Sequence, residues 1–157
     1  MYRIGYIDDD PRQYQNYARK LKRKDPNMEL VLFRDCSTKE EFVNKIYEEH
    51  ADVLLIDYKM AAAFGFNGST LINYINDQVR DLSCFILTAV EEDKVEDGLV
   101  QRRNIYSKTI FDTEADTPDL VEKLKAFMVV LKESADEFRK RRKLKEDEYK
   151  TLFEKGE

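Results

Sequence analysis

Several kinds of protein are excluded by what this 157-residue chain lacks. It has two cysteines, Cys36 and Cys84, and one histidine, His50, which form no disulfide framework and stand at no recognisable metal-ligand spacing. Cys84 lies in an apolar run, where a small buried hydrophobe is expected. His50 reads as a residue at a helix C-terminus, interacting with the dipole. No stretch of about 18 apolar residues offers a membrane span, and the N-terminus runs straight into a strand-like segment with no signal-peptide pattern. A soluble, cytoplasmic protein is the expectation. There is no internal repeat or low-complexity linker, and no glycine or proline interrupts the sequence from Asp119 to Lys155.

The net charge of −5 argues against a surface built throughout for nucleic acid or anionic membrane. Its distribution is uneven. Residues 132–157 carry nine basic and eight acidic side chains, so the acidity belongs to residues 1–131. The length suits one core of ordinary size with an appendage. We divide the chain into a domain over 1–131 and a charged helical extension over 132–157 that continues the last helix.

Apolar runs alternate with helical periodicities, the rhythm of a parallel sheet covered on both faces. Tyr2–Ile7 reads as a first strand. Asp10 and Pro11 supply a cap and a first-turn proline for a helix ending near Lys24, before the Asp25-Pro26-Asn27 stop. Glu29–Arg34 reads as a second strand, and Thr38 with Glu41 as a capping box for a helix reaching about His50, with Phe42 and Ile46 inward. Val53–Ile56 is a continuous apolar run, as in a central strand buried on both faces, and it ends abruptly at Asp57. A loop over 61–68 leads to a helix from about Ser69 to Val79. Cys84–Leu87 is a fourth strand ended by Thr88. A short or loosely docked helix is expected over 91–103, then a brief fifth strand around Ile105-Tyr106. Thr117, Pro118 and Asp119 open a last helix of some 35 residues, on the order of 50 Å long.

Asp8 and Asp9, Asp57, Thr88 and Lys108 thus fall at the carboxyl ends of four strands, which in an open parallel sheet converge on one crevice. Clustered carboxylates repel and raise each other's proton affinity unless a cation intervenes, which invites a hard divalent metal; magnesium is the natural candidate. Asp10, followed by Pro11, reads instead as a helix cap.

The runs Tyr6-Ile7-Asp8-Asp9-Asp10-Pro11, Val53-Leu54-Leu55-Ile56-Asp57-Tyr58-Lys59-Met60, Ile86-Leu87-Thr88-Ala89 and Ser107-Lys108 together resemble the receiver domain of two-component response regulators. The resemblance covers residues 1 to about 131. It implies a flavodoxin-like, doubly wound five-stranded sheet of order 2-1-3-4-5. It also implies that Asp57 accepts a phosphoryl group from a histidine kinase, a phosphotransfer protein or a small phosphodonor. Mg2+ would be held by Asp8, Asp9, Asp57 and the backbone carbonyl of Lys59, while Thr88 and Lys108 contact phosphoryl oxygens. Such a protein is not an enzyme beyond autocatalytic phosphotransfer and self-dephosphorylation, and it signals to a downstream protein effector.

Three positions depart from the family pattern. The proline usual soon after the Met60 position is absent, with a longer loop to Gly68. Thr109 stands where a proline usually follows the lysine. The aromatic switch position, three before Lys108, is Ile105, with Tyr106 one later. A phosphorylation-independent interaction or dimerisation module is therefore the alternative. A haloacid-dehalogenase-like phosphohydrolase is a more distant one, since the second Asp it needs is here Lys59. In the tail, the basic run Arg139–Lys145 is flanked by acids and reads as a solvated helix rather than a nucleic-acid patch. Leu131, Ala135, Phe138, Tyr149 and Leu152 form a weak coiled-coil seam that could join two copies or lead to an output domain.

Overall fold

The computed structural model describes residues 1–60, 64–89, 102–111 and 117–155. Five parallel strands form one sheet in the order β2-β1-β3-β4-β5: β1 Tyr2–Ile7, β2 Met28–Leu32, β3 Val53–Asp57, β4 Cys84–Thr88 and β5 Ile105–Ser107. The doubly wound order expected from the sequence is the one observed. Its register brings the carboxyl ends level, with Ile7 beside Ile56, Asp57 beside Leu87 and Thr88 beside Ser107. Every residue of β3 and β4 is buried, which explains why both read as unbroken apolar runs closed by one polar residue.

The helices are α1 Tyr14–Lys24, α2 Lys39–Glu48, α3 Gly68–Gln78 and α4 Pro118–Lys155. Asp10 caps as expected, accepting from the Arg12 N–H, but what it opens is a 3₁₀ turn over Pro11–Gln13 that then passes into α1. Thr38 accepts from the Glu41 N–H at 3.2 Å, whereas the return arm of the box differs. The Glu41 carboxylate accepts from the Thr38 and Ser37 hydroxyls, at 3.1 and 3.2 Å. The helix anticipated over 91–103 lies largely outside the described residues; at its end Arg102–Asn104 is a 3₁₀ turn.

Strand alternation divides the core in two. On one face Ile4, Tyr6, Leu55, Phe85 and Leu87 pack with Tyr17 and Leu21 of α1 and Leu124, Phe127 and Leu131 of α4. On the other, Leu54, Ile56 and Ile86 pack with Phe42 and Ile46 of α2 and Leu71, Ile72 and Ile75 of α3. Cys84 is on this second face, and burial pushes its thiol up to about 12. Leu120 and Val121, in the first turn of α4, are only half-buried.

The last helix departs most from expectation. Its docked part runs past residue 131, because Ala135 joins the first core and Phe138 the second. Three of the five residues in the expected coiled-coil seam are therefore spent on the chain's own core, while Tyr149 and Leu152 remain exposed. Arg139 also leaves the solvated face assigned to it. Its guanidinium donates to the buried Asp52 carboxylate at 2.6 Å and to the Met1 carbonyl, and lies 4.8 Å over the Tyr2 ring. The Arg3 N–H also donates to Asp52 Oδ2, at 3.1 Å. Arg139→Met would strand a carboxylate that is 2% exposed, so a loss of about 3 kcal/mol in urea-unfolding stability is expected. A loss indistinguishable from zero would show the ion pair to be incidental. No helix among the described residues is long and apolar enough to cross a membrane.

Candidate functional site

The site is assembled at the carboxyl edge of the sheet. Asp8 follows β1, Asp57 ends β3, Thr88 ends β4, and Lys108 follows β5 as the first residue of a 3₁₀ turn over Lys108–Phe111. Parallel strands in level register bring together residues separated by up to 100 positions. The Lys108 ammonium lies 2.9 Å from Asp57 Oδ1 and 3.2 Å from Asp8 Oδ2. Asp8, Asp57 and Thr88 are all buried, whereas Asp9 is exposed at the mouth.

The electrostatics are under-compensated. Asp8, Asp9 and Asp57 can each present an oxygen within 4.8 Å of the others, and Lys108 is the ammonium that bridges two of them. Burial is the main reason the Asp57 carboxyl is pushed up to about 7. The hydrogen bond and charge of Lys108 pull it down, and Asp8 adds to the rise. Burial pulls Lys108 downward, but its bonds and charge interactions with Asp57 and Asp8 prevail and hold it above the usual lysine value. Three oxygen donors around a point that lacks positive charge are the donor set a small divalent cation takes. The residues present fit magnesium.

One participant was not foreseen. The phenol of Tyr6, fully buried, donates to Asp8 Oδ2 at 2.5 Å, and the Asp10 N–H donates to Asp8 Oδ1 at 2.9 Å. Burial and the neighbouring Asp8 push the Tyr6 phenol well above its ordinary value, so it stays a donor. With Lys108 on the same oxygen, the inner oxygen of Asp8 is held from two sides and Oδ1 is the one left with capacity to spare. In the sequence Tyr6 reads only as part of the first strand; the available signal was its i,i+2 spacing to Asp8, which directs both side chains to the same side of the sheet.

Gly68 is the second such residue. Its N–H donates to the Tyr58 carbonyl at 3.0 Å, and a Cβ there would come within 2.6 Å of the Asp57 carbonyl oxygen. Asn67 caps α3 beside it, accepting from the Thr70 N–H at 3.0 Å. The first turn of α3 thus rests directly on the backbone of the acid-bearing strand, at a distance only glycine permits. Gly68→Ala should cost about 1 to 3 kcal/mol in thermal or urea unfolding and weaken Mg2+ binding, since one of the two backbones must move. Wild-type values for both would show that the contact relaxes freely.

Lys59 follows Tyr58, whose N–H donates to the Leu87 carbonyl at 3.1 Å, so the backbone at the expected carbonyl ligand is anchored to β4; its side chain is exposed. Where the resemblance led us to expect a proline after Lys108, the turn is tied by side chains instead. Ser107 Oγ accepts from the Thr109 N–H at 3.2 Å and lies 2.9 Å from the Thr109 hydroxyl. Asp10 contributes no ligand and pairs with Arg12 at 2.6 Å, as a cap should. Ile105 is buried on the α2/α3 face. Tyr106 is on the opposite face, its ring 4.3 Å from that of Phe127.

No family model and no curated protein matches the chain. Solved structures do. A chain from the complex of histidine kinase ThkA with response regulator protein TrrA is 22% identical, with 80% of this chain and 97% of that one covered at a TM-score of 0.57. A response regulator from Desulfuromonas acetoxidans is 16% identical over 83% of this chain and 99% of its own, at 0.56. The signal receiver domain of NarL from Mycobacterium tuberculosis is 19% identical over 83% and 96%, at 0.55. Near-complete coverage of each, with the same five-stranded order, shows that the fold of this chain is the flavodoxin-like fold of the response-regulator receiver domain.

Proposed function

We propose that this chain is a phosphorylation-dependent signalling receiver in which Asp57 is the phosphoacceptor. The observation that carries the reading is the triangle of Asp57, Asp8 and Lys108, with Asp9 at its mouth, on a fold shared with response regulators. A carboxylate oxygen of Asp57 would form a bond to phosphorus while the bond to the donor nitrogen or oxygen breaks, leaving an acyl phosphate and the free donor. Water attacking the same phosphorus would return Asp57 and inorganic phosphate. Lys108 would pair with one phosphoryl oxygen and Thr88 would hydrogen-bond another, positioning by fixed charge and donors that suits a loose phosphoryl-transfer transition state. Asp8, Asp9 and Asp57, with the Lys59 carbonyl, would hold Mg2+, which when bound supplies the positive charge that lets Asp57 stay ionised and offsets charge on the phosphoryl group.

A histidine kinase or phosphotransfer protein is the proposed donor, supported by the similarity to a structure solved with a histidine kinase. Output would pass by protein contact in the cytoplasm, with the exposed part of the extension, beyond Arg139, as the contact element and nucleic acid playing no part. Ile105 stands at the position three before Lys108 and packs on one face of the sheet while Tyr106 packs on the other, which favours a second reading, an interaction module that works without phosphorylation. The two part in one experiment. After incubation with Mg2+ and acetyl phosphate, borohydride reduces an aspartyl phosphate to homoserine, and peptide masses locate it. Conversion of Asp57 supports the receiver; no conversion, or conversion elsewhere, contradicts it.

A further inference from the structure

At the edge of the sheet opposite the acidic site, a groove of about 370 Å³ opens between the end of α2, the turn at 79–81 and α4. The exposed Tyr47 and the largely buried Val79 and Phe138 line its apolar part. Four cations and two carboxylates, Asp77 and Asp81, line it, for a net charge of +2, and Asp81 already holds Arg141 at 2.8 Å and Lys145 at 3.5 Å. Beyond the groove α4 continues into solvent with Tyr149, Leu152 and Phe153 at 76, 68 and 78% exposure. Tyr149 lies eleven residues, about three turns, after Phe138, so the stripe that packs on the body carries on past it. These side chains cannot fold back into their own groove, because an unbroken helix carries Tyr149 roughly 16 Å beyond Phe138.

We propose that the chain forms a two-fold dimer in which residues 146–154 of each copy lie antiparallel in the groove of the other. Charge selects this occupant. The segment carries Glu146, Asp147, Glu148 and Glu154 against Lys150, net −3, facing the net +2 groove. A parallel pairing would set the basic run 139–145 against itself and the acids against acids. An antiparallel pairing sets each against the other and makes the interface isologous, with the tail of each copy entering the groove of its partner. Aromatic side chains bury about 150 to 250 Å² each, so Tyr149 and Phe153 from two copies supply roughly 600 to 1,000 Å². The added leucines, stems and groove surface bring the contact into the range of a stable interface. The proposal stands independently of phosphorylation at Asp57.

Sedimentation equilibrium of the full chain, with no phosphodonor present, tests it. The expected wild-type mass is twice 18.6 kDa. Reversing the groove (Arg80→Glu with Arg142→Glu) or the tail (Glu148→Lys with Glu154→Lys) should each give a monomer, and an equimolar mixture of the two should restore the dimer, because both contacts then join opposite charges. All four are exposed surface positions, and circular dichroism melts confirm that each altered chain is folded. A monomeric wild type across the concentration series would overturn the proposal. So would a tail-reversed chain that dimerises unaided, as a parallel seam or another surface would allow.

Discussion

Asp57→Asn should make the cation-free protein more stable than wild type at pH 8, and by an amount that shrinks towards zero near pH 4. The Asp57 carboxyl is pushed up to about 7 in the fold from an ordinary value of 3.8, chiefly by burial. Between those values the folded chain keeps a proton that the unfolded chain has released, so the protonated site favours the fold most at low pH. That contribution is lost as pH rises from about 4 through about 7. At about 1.4 kcal/mol per unit the ionised carboxylate costs at most about 4 kcal/mol, and side-chain relaxation and water entry bring a working figure to about 3 kcal/mol. For a chain of this size that is roughly 6 to 12 °C in melting temperature. The amide of Asn carries no charge and escapes the cost. On the proposed function Mg2+ should close the gap, since it would bind the folded wild type and stabilise it by mass action. Melts at pH 4, 6 and 8, with Mg2+ and with chelator, check all three parts. A gap independent of pH, or one that Mg2+ widens, would sink this account of the site's electrostatics.

Lys108→Ala should lower the rate of phosphorylation from acetyl phosphate by about 10² to 10³, the usual consequence of deleting one preorganised charge at a transition state. The lysine bridges Asp57 and Asp8 at 2.9 and 3.2 Å, and both its bond to Asp57 and its charge hold the Asp57 carboxyl down. Its removal therefore has two consequences. On the proposed function the phosphoryl group would lose its ion-pair partner, and Asp57 would protonate at still higher pH, so the rate–pH profile should move to the alkaline side. A merely structural lysine would not move that profile. Arginine at 108 keeps the charge but not the compact ammonium, and should restore the profile more than the rate. A rate within about twofold of wild type for Lys108→Ala would remove the lysine from the chemistry.

How much of this was legible in the sequence depends on which physical signal each residue leaves. Strand ends were legible because β3 and β4 are buried on both faces and stop at Asp57 and Thr88, and a parallel topology then forces those ends together. The convergence of Asp8, Asp57 and Lys108 followed from topology alone. Tyr6 was passed over because a buried aromatic in a strand looks like core, and it is core apart from one hydroxyl. Gly68 left no positive signal, since its contribution is the Cβ it lacks against the Asp57 carbonyl. In α4 the helical period was visible, but a period does not say which body a face meets. Phe138 packs inward and Tyr149, on nearly the same meridian, does not. Asp52 precedes its strand and pairs with Arg139, 87 residues away, a contact that no local pattern announces.

The central claim is that Asp57, in a magnesium-dependent acidic site, accepts a phosphoryl group. The most direct measurement is the intact mass of wild type and Asp57→Asn after incubation with acetyl phosphate, with Mg2+ and with chelator. Wild type with Mg2+ should gain one phosphoryl group, and neither the variant nor wild type in chelator should gain any. Wild type that stays unmodified, or a variant that gains the same mass, would contradict it.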